Sequence, residues 1–260
     1  MIPLRDNIPT RRAPVVTYAI IAANVIVYFF WQRGGLSWGS PTSLHFNQHL
    51  ADWGAIPYEF GHPGNHCALV NAAGAIACEG QPGVRGTAPS QPPTWVTPFT
   101  AMFMHAGLLH LGGNMLFMWI FGNNVEDSMG RVKFVVFYVI GGLCAFGLQF
   151  VTDTSSTVPT LGASGAIAAV LGGYLLLYPR ARVVTLIFIV FFFTILELPA
   201  LLVLGFWFLL QAYSAAISTP GGGGGVAYFA HVGGFLFGLL AVKAFAGRRK
   251  PGPTASLWRR

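Results

Sequence analysis

At 260 residues the chain is 54% hydrophobic and only 9% charged, against about 25% charged in an ordinary soluble domain. Its formal net charge of +7 comes from 15 Lys and Arg against 8 Asp and Glu, and these bases flank apolar runs instead of interleaving with aromatic residues. A soluble globule and a nucleic-acid partner are thereby disfavoured, and the composition points to an all-α polytopic membrane protein.

The elements follow in chain order. Residues 1–14 form a short basic segment with Arg5, Arg11 and Arg12. The first apolar run, Val15–Trp31, follows Pro14 with no small-residue cleavage site after it, and reads as an uncleaved signal anchor. Residues 32–98 make a long loop rich in Gly, Pro, Asn and His. Candidate spans then come at Ala101–Phe121, Phe134–Val151 and Leu161–Tyr178.

The run Val183–Leu196 covers only ~21 Å as a helix, short of a hydrocarbon core of ~30 Å. Glu197 and Pro199 interrupt it. The sequence therefore predicts a crossing at Leu198–Ile217, with Val183–Leu196 leading into it partly along the interface. The connector "STPGGGGGV" (218–226) precedes a last span at Val226–Ala246. This gives a membrane domain over 15–247, with the outer loop 32–98 inside it, and a basic tail over 248–260.

Six crossings place both termini on the inner, cytoplasmic side. Of the 15 Lys and Arg, only Arg33 and Arg85 then lie outside and the rest lie inside, as the positive-inside rule requires.

Polar residues within the spans are the functional candidates, because hydrocarbon penalises unpaired polar groups. Ser164 sits between Gly162 and Gly165 near the outer end of the fourth span, and His231 near the outer end of the sixth. The second span carries His105, His110 and Asn114, the last two four residues apart and on one face. Three helices thus bring Ser, His and Asn to one depth in the outer half of the membrane.

A serine is a weak nucleophile until an imidazole takes its proton. An amide carbonyl under attack also needs hydrogen-bond donors for its growing negative charge. Asn114 and His110 supply such donors from one face. No acidic residue near a span is placed to orient His231, so a Ser–His dyad is expected. Gly162 and Gly165 let the chain turn and approach closely, while His105 gives structural support. Ala230, Gly234 and Gly238, spaced by four, permit tight helix packing beside His231.

These residues resemble a known family. "GASG" around Ser164, "AHVGGFLFG" around His231 and "HAGLLHLGGNM" with His105, His110 and Asn114 are similar to motifs of the rhomboid intramembrane serine proteases, and "FGNNVEDSMG" with Glu126 resembles the family's helix-end segment. The resemblance runs from about residue 15 to 246. It implies a six-helix bundle with a long outer loop between helices 1 and 2, with Ser164 as nucleophile and His231 as general base. His110 and Asn114 would form the oxyanion hole, and no metal or cofactor would be needed. Substrates would be single-pass transmembrane proteins, cut near the outer face of a bacterial-type plasma membrane and admitted by movement of the Leu198–Ile217 helix. The family's Trp-Arg pair before the second helix is not kept here, where Trp95 is followed by Val96.

The outer loop carries two HxxxH pairs, His45/His49 and His62/His66, close to Cys67 and Cys78. A bridge between Cys67 and Cys78, closing a short loop on an oxidising side, is a better reading than a metal site. Two other function classes compete with the protease. A transporter would place its polar residues near the midplane between repeats, and neither feature is visible. A non-catalytic client-binding relative would be expected to lack Ser164 or His231.

Overall fold

The apolar runs fold as helices, with one exception. The computed structural model describes residues 1–36, 38, 41–71, 74–189, 192–218 and 226–247. The basic residues Arg248, Arg249, Lys250, Arg259 and Arg260, and most of the glycine connector, lie outside these. After a short strand β1 (Ile2–Asp6), helix α1 (Val15–Ile26) continues through a wider turn to Trp31. The segment that follows holds α2 (Leu44–Trp53), α3 (Pro57–Gly61) and the strands β2 (Cys67–Leu69) and β3 (Ile76–Cys78).

The expected second span is broken. A short helix α4 (Thr97–Ala101) is followed by an irregular stretch, and α5 (Leu108–Phe117) then runs through a π-helical turn at Met118–Gly122 into α6 (Asn123–Met129). His105 therefore precedes the helix that carries His110 and does not lie on it. Helices α7 (Arg131–Thr152) and α8 (Ser164–Leu177), strands β4 (Arg182–Ile189) and β5 (Phe192–Pro199), and helices α9 (Ala200–Ile217) and α10 (Tyr228–Phe245) complete the chain. Among the described residues, α7, α9 and α10 are long and apolar enough to cross a membrane. Val15–Trp31 and α8 are shorter apolar helices.

The exception is the run Val183–Leu196, whose described residues form two antiparallel strands and not a helical lead-in. β4 and β5 pair antiparallel, and β1 joins the other edge of β4 with Ile2 opposite Leu186. The fold is thus mostly helical instead of all-α. β-branched and aromatic residues dominate "VVTLIFI" and "FFTIL", which favours an extended chain over a helix. The N-terminal segment then supplies a third strand. Asp6 fastens it, accepting hydrogen bonds from the Tyr174 hydroxyl at 2.5 Å and the Asn124 amide at 2.7 Å. Burial pushes the Asp6 carboxyl above its ordinary range, and these two donors oppose that rise.

The core lies where α8 meets α7 and α10. Every residue from Gly165 to Tyr174 is buried, which accounts for the absence of a polar face on this helix. Opposite, Gly234 and Gly238 abut the backbone of α8. A Cβ on Gly234 would run into the Gly165 carbonyl oxygen, and one on Gly238 into that of Ala169. Small residues at this spacing let two backbones touch, gaining dispersion contacts where lipid offers no hydrophobic drive. Phe121, Phe134, Phe137, Tyr138 and Phe235 fill the space around them. Glu126 caps α1 by accepting from the Thr17 backbone N–H and hydroxyl, both at 2.8 Å, and from the Val16 N–H at 3.1 Å.

Cys67 and Cys78 are disulfide-bonded across the β2–β3 pair, both fully buried. The outer segment that this bridge staples is built around acidic groups. Glu59 accepts from the Cys67 N–H, though burial still pushes its carboxyl above the ordinary range. The half-buried Glu79 accepts from the N–H groups of Ala88 and His66, which hold its carboxyl below that range. Of the four loop histidines, His62 stacks on Tyr58 and His45 lies against His49. Among the described residues, no group of three or more His, Cys, Asp or Glu could hold a metal ion.

Candidate active site

Ser164 begins α8 instead of lying a turn inside it. The residue before it, Ala163, is already in helical conformation, and no side chain caps the helix. The first-turn N–H groups are left over at that end, as at any helix start. Gly162 makes the turn possible with φ +111°, a conformation that side-chain-bearing residues avoid. Its N–H donates to the Ala101 carbonyl at 2.8 Å, tying the turn to α4. A second tie comes from the outer segment, where Ala55 and Thr160 exchange backbone hydrogen bonds at 3.1 and 2.8 Å.

His231 comes from α10, four positions into the helix, and its Nε2 lies 2.8 Å from Ser164 Oγ. The glycine contacts between α8 and α10 set that distance, since both residues lie near the N-terminal ends of these two closely crossing helices. Both side chains are half-buried, so the pair is sheltered but reachable.

The other ring nitrogen of His231 also has a partner. Nδ1 lies 2.7 Å from the amide oxygen of Gln211, on α9. A carbonyl oxygen only accepts. Nδ1 therefore carries the proton, and Nε2 is left to accept from the Ser164 hydroxyl. Trp207, one turn before Gln211, holds its ring 5.8 Å from the His231 ring. The orienting group is thus an amide, where acids alone had been expected to fill such a role. The signal was present, since an amide in the otherwise apolar Ala200–Ile217 helix is itself a costly polar group in lipid.

His110 and Asn114 both face the turn ahead of Ser164. A Cβ on Gly162 would stand 2.7 Å from His110 Cε1, 2.8 Å from its Nε2 and 3.6 Å from Asn114 Nδ2. A glycine at 162 is thus needed twice, for its φ and for this approach. The backbone N–H of Ala106 donates to His110 Nδ1 at 3.3 Å, so the hydrogen of the neutral ring sits on Nε2, directed at the turn. Asn114 is buried, and its amide nitrogen is without a hydrogen-bond partner. Two donors therefore point at the turn before Ser164.

His105 is fully buried. The Gln32 side chain pins its backbone, with Gln32 Oε1 accepting from its N–H at 3.0 Å, and its ring meets His110 edge-on at 5.1 Å. It shapes the position of His110 and does not face Ser164. Beside the serine lies a pocket of about 30 Å³, lined by Ala101, Met102, Ala145, Gly162, Gly165 and Ala230 among others.

Residues 92–248, well over half of the chain, match the family model for the rhomboid domain. The chain belongs to the rhomboid family. It is an integral membrane protein, and its site elements from α4 to α10 all lie in the matched stretch. It is 31% identical over 147 residues to Rhomboid protein 1, mitochondrial, of Saccharomyces cerevisiae, covering 53% of this chain and 38% of that protein. It is 30% identical over 145 residues to the presenilin-associated rhomboid-like protein, mitochondrial, of Mus musculus, covering 54% and 35%. With RHOMBOID-like protein 5 of Arabidopsis thaliana it shares 33% identity over 76 residues, 29% of this chain and 25% of the relative. This rhomboid chain thus spans between a quarter and little more than a third of the length of these relatives.

Proposed function

We propose that this rhomboid is an intramembrane serine endopeptidase acting on single-pass transmembrane proteins. The observation that carries the reading is the 2.8 Å contact between Ser164 Oγ and His231 Nε2. As Oγ attacks a peptide carbonyl carbon, its proton passes to Nε2 and the carbonyl oxygen takes up negative charge. Asn114 and His110 supply donors for that oxygen, together with the free N–H groups at the start of α8. When the carbon–nitrogen bond breaks, Nε2 gives the proton to the departing amine, leaving an acyl group on Ser164. A water, deprotonated by the same imidazole, releases it. All of these proton transfers are local, and the groups involved belong to this chain.

The alanine- and glycine-lined pocket beside Ser164 supports a small side chain next to the cut bond. The proposal includes six crossings with both termini inside and the site opening to the outer face. It also places residues 32–98 as an outer loop within a 15–247 membrane domain. A compartment of bacterial plasma-membrane type fits, because its outer side keeps the Cys67–Cys78 bridge oxidised.

The test is fluorophosphonate labelling in lipid, beside cleavage of a model transmembrane substrate. Wild type is expected to label and cleave, while Ser164→Ala loses both and His231→Ala loses cleavage by several orders of magnitude. Asn114→Ala is expected to retain labelling capacity but to lose roughly 10²–10³ in kcat. A wild type that neither labels nor cleaves would move the assignment to client binding without catalysis.

A further inference from the structure

We propose that Gln211 is a positioning residue for His231, its amide oxygen fixing the ring tautomer that can act as base toward Ser164. This deepens the protease reading above and rests on it. The geometry is specific. His231 Nδ1 lies 2.7 Å from Gln211 Oε1 and Nε2 lies 2.8 Å from Ser164 Oγ, so one ring is held from both ends. Gln211 is itself buried, at 9% exposure, and Trp207 on the same face of α9 stands against the ring.

A neutral imidazole has a single N–H, and the two tautomers are close in energy unless a partner selects one. With the hydrogen on Nε2, the ring would present a donor to Ser164 and could not accept its proton. An acceptor at Nδ1 removes that state. It also keeps the ring in plane with its partners once Nε2 has been protonated, when both nitrogens are donors. A carboxylate would perform the same task in water. In a membrane a buried unpaired carboxylate is expensive, whereas an amide accepts without carrying charge. Gln211 thus fills the orienting position with a side chain that hydrocarbon penalises less than a carboxylate.

The experiment compares purified wild type, Gln211→Met and Gln211→Glu in lipid, reading the labelling rate with a fluorophosphonate, kcat and KM separately, and the thermal midpoint. Methionine keeps the length and apolar packing but cannot accept the hydrogen bond. It is expected to lower kcat and the labelling rate roughly tenfold to a hundredfold with KM little changed, since general-base catalysis of this kind contributes about 10²–10⁴ overall. Gln211→Glu retains an acceptor and is expected to label faster than Gln211→Met, with a displaced acid limb in its pH–rate profile. A packing role predicts the reverse order, because methionine suits an apolar helix better than a glutamate. Wild-type kcat in a folded Gln211→Met, or Gln211→Glu falling below it, overturns the proposal. Should Gln211→Met fail to fold, Gln211→Asn, one methylene short of the ring, carries the same expectation. If wild type itself does not label, the protease reading fails and this inference falls with it, a result separate from a Gln211→Met that works normally.

Discussion

The α8–α10 crossing and helix α9 both hold His231, and they are built in opposite ways. At the crossing, backbone meets backbone, with Gly234 and Gly238 admitting no side chain against α8. Helix α9 buries few residues, leaves Phe206, Leu209 and Tyr213 more than half exposed, and has open space around Gly205. The Ser164–His231 distance is thus fixed by a contact of backbone on backbone. The other nitrogen of the His231 ring is met by Gln211 from a helix that leaves most of its large apolar side chains exposed. Small residues at an interface secure distance, while a single polar group on a loosely packed span secures orientation.

Glycine substitutions should break this contrast most directly. Gly234→Leu is expected to force the crossing apart and to abolish the thermal transition of the folded protein, a loss above about 4 kcal/mol and in the range reserved for gross packing failure. A folded, labelling-competent Gly234→Leu would mean that the crossing adjusts readily.

A smaller effect is expected outside the bundle. The Cys67–Cys78 bridge closes a loop of sequence separation 11, and Cys67→Ser should destabilise the outer segment by about 2–3 kcal/mol on chain-entropy grounds. Limited proteolysis between residues 44 and 91 measures this. Unchanged protection would show that the helices α2 and α3 hold the segment unaided.

The smallest effect has the opposite sign. Gly205→Ala on α9 meets no neighbour and should raise stability by up to about 1 kcal/mol through helix propensity alone, as a higher thermal midpoint would report. A loss there would reveal packing against α9 that its open surroundings do not show.

The helices were legible from apolar run length, because a bilayer leaves few other solutions for such runs. Ser164, His231, His110 and Asn114 were legible as polar groups at one depth, and the structure brings them to one turn. What escaped had other causes. The strands within Val183–Leu196 pair with each other and suit their β-branched and aromatic residues, but span-length reasoning assumes a helix throughout, and the third strand, Ile2–Asp6, is distant in sequence. Gln211 escaped because an amide is weak evidence of chemistry by itself. Its meaning comes from a ring nitrogen 20 residues away. The break before α5 was signalled only by Gly107 and left His105 off the helix to which periodicity had assigned it.

The three-stranded sheet imposes an order on biosynthesis. Among the described residues, Ile2–Asp6 pairs with Val183–Leu186 of β4, so the first strand must wait while every intervening segment is made. At about 5–20 residues per second of synthesis, that delay is on the order of ten to forty seconds. During it the first strand has no ladder partner and Asp6 has no Tyr174 to receive. Closure of the sheet therefore comes after α1, α7 and α8 have been synthesised, as a late fastening of the N-terminal segment.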